Sequence, residues 1–303
     1  MSLLPYEAFL ALRYLRPRRT FVSVITVISV IGVMLGVAVL IIVIAVMSGF
    51  DQEWRTKILG FNAHIKVTGQ HGILTNYSEV MAQVASNKWV VGVAPFVQGA
   101  VLVDAQGENN QSRARPGFLR GIDPELETKV SVLPNSVLRG GSFNVTGNNI
   151  LVGVAFANGM NLSVGDRIQI YSPGSYAKIK AQLKKKGNGG PDIAVLPDEF
   201  TIAGIFDVGF EEYNENIIVT SLERAQELYS LNDESVHGLQ VMVTDPYKSN
   251  AARASLRGTL GLNNDMVTWQ EATPVLFNAL ATEKNMMFFL VFFIIIVAAF
   301  GIV

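Results

Sequence analysis

Two uncharged stretches bracket a long segment in which apolar and polar residues alternate. From Thr20 to Phe50 no charged residue occurs, and Val22–Met47 is almost wholly apolar. As a helix this run measures roughly 39 Å, against a bilayer hydrocarbon core of about 30 Å. It can span with tilt or continue as helix beyond the bilayer. A secretory leader has an apolar region of only about 7–15 residues, closed by a small-residue cleavage site. Val46-Met47-Ser48-Gly49-Phe50 is a poor cleavage site, so the segment reads as an anchor. Met286–Val303 is a second charge-free run. It spans roughly 27 Å, so the chain stops as the helix would finish crossing and is expected to be a fragment.

Asp51–Glu283 carries the alternation and turn signals of a folded domain. His64–Thr68 alternates as a strand, Ser78–Ser86 follows as a helix with Ser78 as N-cap, and Trp89–Val93 is apolar again. The same rhythm returns near the end, with strand Leu239–Val243, a turn at Asp245-Pro246, helix Tyr247–Leu260 and strand Met266–Trp269. The stretch between is richer in strands: Gly99–Asp104, Ser112–Ile122, Ile150–Val152, Arg167–Tyr171, Phe200–Phe206 and Asn216–Thr220. Short helices at Val154–Met160 and Ser221–Tyr229 interrupt it. The expected fold is an α+β domain over 51–284, flanked by transmembrane helices at 21–50 and 285–303. Within it, an α/β subdomain from residues 51–98 and 237–270 would hold an inserted β-rich subdomain of residues 99–236.

Charge sets the orientation. Arg13, Arg16, Arg18 and Arg19 precede the first helix, whereas Arg55 and Lys57 after it are offset by Asp51 and Glu53. Basic residues in short flanks stay in the cytoplasm, which places the N-terminus inside and the domain outside, periplasmic in a Gram-negative cell. Residues 1–20 then form a cytoplasmic interfacial segment, with Leu3, Leu4, Phe9, Leu10 and Leu12 lying on the inner leaflet. Over the 303 residues, 50% are hydrophobic and 16% charged, and the net charge is −1, which gives no footprint for a nucleic-acid partner.

Two features invite a functional reading beside a plain one. Gly32 and Gly36 form a GxxxG pattern with Ser29 one turn earlier, either a helix-packing face or a chance placement of common membrane glycines. The connection Ser172–Asp198 holds Lys178, Lys180, Lys184, Lys185 and Lys186, then Gly187-Asn188-Gly189-Gly190-Pro191. It far exceeds a hairpin loop of about 2–5 residues. It reads as a solvated basic protrusion or as a docking arm for an acidic or membrane-proximal partner.

Catalytic chemistry is not signalled. The chain has no cysteine, so disulfides, thiolate metal sites and cysteine nucleophiles are all excluded. His64, His71 and His237 lack ligand spacing, and neither a metal nor a cofactor is expected. No P-loop, G-x-S-x-G or H-E-x-x-H occurs. Glu211 and Glu212, within Gly209–Tyr213, read as a solvated turn rather than an acid/base pair.

Several segments stand out in order: Leu12-Arg13-Tyr14-Leu15-Arg16-Pro17-Arg18-Arg19 with Gly32 and Gly36, then Val46-Met47-Ser48-Gly49-Phe50-Asp51 with Glu53 and Ile58-Leu59-Gly60. Gly121-Ile122-Asp123-Pro124 and Leu162-Ser163-Val164-Gly165-Asp166 follow, then Trp269, Leu276-Phe277-Asn278-Ala279-Leu280 and Glu283-Lys284-Asn285-Met286-Met287. Taken together, these segments resemble the LolC/LolE family of lipoprotein-releasing permeases. The resemblance implies a mechanotransmission-type ABC permease with a MacB-like periplasmic core of two subdomains. It implies a second LolC/LolE-type permease and a pair of LolD-type ATPase subunits, so that ATP hydrolysis lies on another chain. It also implies triacylated lipoproteins as cargo and a LolA-type periplasmic carrier as acceptor. Val39, Leu40, Val43, Val46 and Met47 then become candidates to line the lipoprotein path, against an ordinary lipid-facing or helix-packing role. The lysine-rich loop lies where LolC-type members carry a carrier-engaging hairpin, although its sequence does not match that hairpin closely. Pro173 and the five lysines are its candidate docking residues.

Two rivals share the topology. One is a MacB-type export permease moving another cargo, and the other is a non-transporting regulator of a cell-wall hydrolase. The Val46–Phe50 exit and the Glu283–Met287 motif favour the lipoprotein branch.

Overall fold

The computed structural model describes residues 10, 21–69, 71–106, 112–174, 197–261, 264–272 and 274–302. The interfacial segment (apart from Leu10), the flanking arginines and the five loop lysines lie outside them. Two compact units result: Met1–Trp54 with Thr273–Val303, and Arg55–Ala272.

The first element with described bounds is α1 (Phe21–Phe61), a helix of 41 residues. Its valines and isoleucines favour strands in water, but in lipid a lone segment must satisfy its own backbone, which leaves the helix. Ser48 follows the same rule, its hydroxyl donating back to the Ile44 carbonyl at 2.8 Å. Of the two options for its length, the helix takes the second and continues past the apolar run. The N-terminal half of the domain is β1 (Ile65–Gly69), β2 (Leu74–Thr75), α2 (Tyr77–Ala85), β3 (Val90–Gln106), β4 (Ser112–Ile122), α3 (Pro124–Glu127), β5 (Asn149–Gly153) and α4 (Val154–Met160). Next come β6 (Arg167–Tyr171), β7 (Asp198–Phe206), α5 (Glu211–Asn216), β8 (Ile217–Ser221), α6 (Leu222–Tyr229), β9 (Ser235–Val236) and β10 (Gly238–Val243). The described chain closes with α7 (Ser249–Leu260), β11 (Asn264–Thr268), α8 (Trp269–Ala272) and α9 (Pro274–Ile302). Among the described residues, α1 is the one helix long and apolar enough to cross a membrane; α9 holds a shorter apolar stretch, Asn285–Ile296.

Nine strands form one sheet in the order β11-β1-β10-β3-β4-β8-β5-β7-β6, with β6 pairing back to β3. The last six strands therefore close into a ring, sealed where Leu102, Val103 and Asp104 pair with Tyr171, Ile170 and Gln169. Closure removes free edges on that side of the sheet. The 17-residue strand β3 serves both parts, pairing β10 from Val90 to Phe96 and β4 from Phe96 to Gln106. The separate strands expected at Trp89–Val93 and Gly99–Asp104 are thus one, and the subdomain boundary expected near residues 98–99 falls inside it.

One large core runs through both parts. Ile65 and Val67 of β1 pack with Val84 of α2 and with Ala252 and Leu256 of α7, while ring residues such as Val103, Leu119, Ile150 and Phe200 join Phe156 of α4. A smaller cluster of Phe61, Ile122, Leu133, Val145, Leu151, Phe206 and Val219 lies beside it. Three local expectations change. Asn76, not Ser78, holds the N-cap position of α2, at φ 50°, a conformation asparagine tolerates, without a side-chain capping bond, and the Ser78 hydroxyl donates to Glu234 at 3.1 Å. Residues Glu211–Asn216 are helical rather than a turn, with Glu211 and Glu212 exposed as expected and Asn214 buried, its amide donating to Asp207 at 2.7 Å. Strand β11 ends at Thr268, and Trp269 opens α8.

Candidate functional site

In the membrane-helix unit, partial burial along α1 follows a stripe at three- and four-residue spacing: Ser29, Val33, Gly36, Leu40, Val43 and Met47. On α9, Met287, Val291 and Ile294 repeat in the same way. These are the spacings at which two helices meet along a seam. The seam is seen at Gly36, where a Cβ would stand 3.4 Å from the Ile294 side chain. Gly32 has open space around its Cβ direction, and with the exposed Val39 and Val46 it repeats every seven residues along a neighbouring face. The residues proposed to line the path therefore divide. Leu40, Val43 and Met47 share the stripe with Ser29 and Gly36, whereas Val39 and Val46 flank it.

In the domain unit, the last turn of α1 is buried. Ile58 is 2% exposed and Phe61 1%. The terminal carbonyls of a helix need outside donors, and Val132 N–H supplies one to Gly60 C=O at 2.9 Å. A Cβ at Gly60 would stand in ordinary contact with the Val132 side chain, at 3.4 Å. The Asn62 side-chain amide donates to the Tyr213 hydroxyl. The Phe61 ring stacks on Tyr213 at 4.6 Å between centroids, and the Arg120 guanidinium lies 4.7 Å over its centroid.

Arg120 ties this turn to the sheet. It is 6% exposed, donates to Glu127 of α3 at 3.0 Å, and donates to Gln240 of β10. Gln240 stands opposite Lys66 in the β1–β10 register, and the Lys66 ammonium lies 5.8 Å from the Phe96 ring centroid. Burial first and the Arg120 charge second push the Lys66 amine down to about 8. Burial raises the Tyr213 phenol, above all other influences, so it remains protonated and free to accept from Asn62 at neutral pH.

Within the domain unit, several residues of the motifs that carry the family resemblance have structural roles. A Cβ at Gly121 would fall 2.1 Å from the Ala225 methyl, so glycine lets α6 seat on β4. Asp123 caps α3, accepting from Glu125 N–H at 2.9 Å and Leu126 N–H at 3.1 Å, with Pro124 at the first helical position. Gly165 takes φ +97°, and the adjacent Asp166 carboxylate accepts from Ser163 N–H at 2.7 Å. Trp269 is buried, its indole N–H donating to Pro246 C=O at 2.8 Å. Two of the three histidines are equally occupied: Val243 N–H donates to His64 Nδ1 at 3.1 Å and Gln98 N–H to His237 Nδ1 at 3.0 Å. Among the described residues no three His, Asp or Glu side chains gather as metal ligands. The Arg120–Phe61 contact had no sequence signal, since alternation reads Arg120 as the solvent-facing neighbour of Leu119.

Residues 26–259 match the family model for the MacB-like periplasmic core domain. The lipoprotein-releasing system transmembrane protein LolC of Xylella fastidiosa (strain Temecula1) is 31% identical over 305 aligned residues, covering 99% of this chain and 69% of that protein. LolC of Neisseria meningitidis serogroup B is 31% identical, covering 98% and 69%. LolE of Haemophilus influenzae (strain Rd) is 24% identical, covering 97% and 68%. These alignments run through both long helices as well as the domain, and the chain belongs to the LolC/LolE family of lipoprotein-releasing transmembrane proteins with a MacB-like periplasmic core domain.

Proposed function

We infer that the chain is a permease subunit of a lipoprotein-releasing ABC transporter in the bacterial inner membrane, a transporter component rather than an enzyme. The observation that carries this reading is the 31% identity to LolC over 99% of the chain, through the whole helix–domain–helix order. In this reading α1 and α9 both cross the bilayer, the N-terminus is cytoplasmic and Arg55–Ala272 stands in the periplasm. The four strands β11-β1-β10-β3 and the six-stranded ring serve as two subdomains that share β3. A LolD-type ATPase pair supplies the work, a second LolC/LolE-type permease completes the dimer, and a LolA-type carrier accepts the cargo.

The energetics explain why work is needed. Each buried CH₂ is worth about 0.8 kcal/mol, so exposing one long acyl chain to water costs on the order of 10 kcal/mol. A triacylated lipoprotein therefore needs an apolar exit and a partner to receive it. Val39 and Val46, on the exposed flank of α1, offer that exit beside the stripe of Leu40, Val43 and Met47. Pro173, exposed at the start of the long loop, and Lys178, Lys180, Lys184, Lys185 and Lys186 form the docking arm. Deleting Lys178–Gly190 from the full-length permease is expected to abolish carrier pull-down, and undiminished capture would reject the arm.

Orientation has a direct test because the chain contains no cysteine. Lys88, exposed in the domain, can carry the sole thiol as Lys88→Cys. In intact spheroplasts a membrane-impermeant maleimide is expected to label it, and to label Ser2→Cys only after permeabilisation. The reverse pattern would invert the topology and remove the proposed periplasmic handover.

A further inference from the structure

We propose that Arg120 is a positioning residue for lipoprotein release: through the Phe61 ring it holds the last turn of α1 to β4, α3 and β10, and release depends on that hold. The proposal rests on the permease reading and adds the residue through which the domain grips the helix.

Three observations lead to it. Arg120 joins four elements at once, with its guanidinium over Phe61 at 4.7 Å, its ion pair to Glu127 at 3.0 Å and its hydrogen bond to Gln240, all from β4. The cluster is also a costly way to fill a core. Glu127 Oε2 and Gln240 Nε2 are buried without a hydrogen-bond partner, and the Lys66 ammonium adds a second cation on the same sheet face. Apolar residues of similar volume commonly serve stability as well as a buried ion pair or better. What a guanidinium adds is geometry: a planar fork for carboxylate and amide oxygens, and a flat cationic face for an aromatic ring. Finally, the turn it holds ends the helix that carries Val39, Val43 and Met47, so a slack grip on Phe61 would leave the helix end free to shift while the domain itself stayed folded.

The test uses the full-length permease, assembled with its ATPase and second permease in proteoliposomes loaded with a triacylated lipoprotein and supplied with carrier. Arg120→Lys keeps the charge beside Glu127 but loses the planar face, and Phe61→Leu keeps apolar volume but loses the ring. Each is expected to lower lipoprotein released per ATP hydrolysed by about tenfold, and the double variant no further, because both break one interaction. ATP hydrolysis should stay near wild type, and the unfolding midpoint should fall by no more than about 5 °C, the scale of a conservative swap at a buried position. Unchanged release per ATP in either single variant would overturn the proposal, as would additive losses or a loss that follows the unfolding midpoint. Failure of both variants to assemble would make the contact a stability element and also overturn it. No release from the wild-type complex would sink the permease reading and this proposal with it, whereas wild-type release with unaffected variants sinks the proposal alone.

Discussion

Aspartate in place of Val46 in the full-length permease is expected to reduce lipoprotein release about tenfold or more while leaving assembly intact. A carboxylate at the centre of a membrane helix costs about 2.5–3.5 kcal/mol on insertion scales and less near the end of the apolar run, where Val46 stands, and about 1.4 kcal/mol already corresponds to tenfold. Depth alone would make every such substitution harmful, so position around the helix must discriminate. Ile41 is 62% exposed, like Val46 at 62%, but lies on a different face of α1. Ile41→Asp should therefore retain most of the release that Val46→Asp loses. Val43→Asp and Met47→Asp are expected to lose release as well, with an added cost along the stripe shared with Gly36. Radiolabelled lipoprotein released from spheroplasts, normalised to assembled permease, reads all four. Equal losses at Ile41 and Val46 would mean that the bilayer, not a path, sets the penalty. Wild-type release with Val43→Asp or Met47→Asp in a normally assembled complex would remove those residues from the path.

Gly121→Ala is expected to cost the domain about 3 kcal/mol, the upper end for inserting a methyl group into a packed core. The added Cβ would sit 2.1 Å from the Ala225 Cβ, and the Ser221 carbonyl oxygen at 3.2 Å closes the other side. In a domain of this size that cost lowers the melting midpoint by roughly 10 °C. Ala225→Gly in the same chain should recover part of it, less the roughly 1 kcal/mol that glycine costs inside a helix. Intrinsic fluorescence through thermal unfolding measures both, since Trp89 and Trp269 belong to the domain. A melting midpoint unchanged by Gly121→Ala would show that α6 yields freely and that Gly121 is not needed for its seating.

Much of the fold could be read from local pattern. The run through Met47 marks α1, and alternation located β4 and β6 with the bounds the structure has. Ser221 was legible as a helix start because its hydroxyl caps α6, accepting from Arg224 N–H at 3.3 Å. Ring closure was not legible. It depends on β3 meeting β6, strands far apart in sequence, and pairing partners leave no trace in the alternation of either. The continuity of β3 was not legible either: the strands expected at Trp89–Val93 and Gly99–Asp104 leave residues 94–98, with Pro95, between them. Packing accounts for two glycines inside it: a Cβ at Gly92 would meet the Lys129 carbonyl oxygen at 2.6 Å, and one at Gly99 the Tyr229 ring at 2.7 Å.

The candidate site was legible only in its apolar half. Hydrophobicity picks out Val39, Leu40, Val43, Val46 and Met47 together, but the division into stripe and flank needs the second helix beside them. Arg120 could not be recognised at all, because its burial is created by the end of α1 and by α3, which cover a sheet face that the pattern assigns to water. The family motifs were legible as a resemblance, and Gly121, Asp123, Gly165 and Trp269 among them are explained by a close approach, a cap, a turn and a buried indole.

The measurement closest to the central claim is lipoprotein release itself. The full-length permease, reconstituted with its ATPase and partner permease, is loaded with a radiolabelled triacylated lipoprotein and mixed with the periplasmic carrier. Soluble carrier-bound lipoprotein that forms only when both ATP and carrier are present is the predicted result. Lipoprotein that stays in the membrane under those conditions, with the complex assembled and hydrolysing ATP, would contradict it.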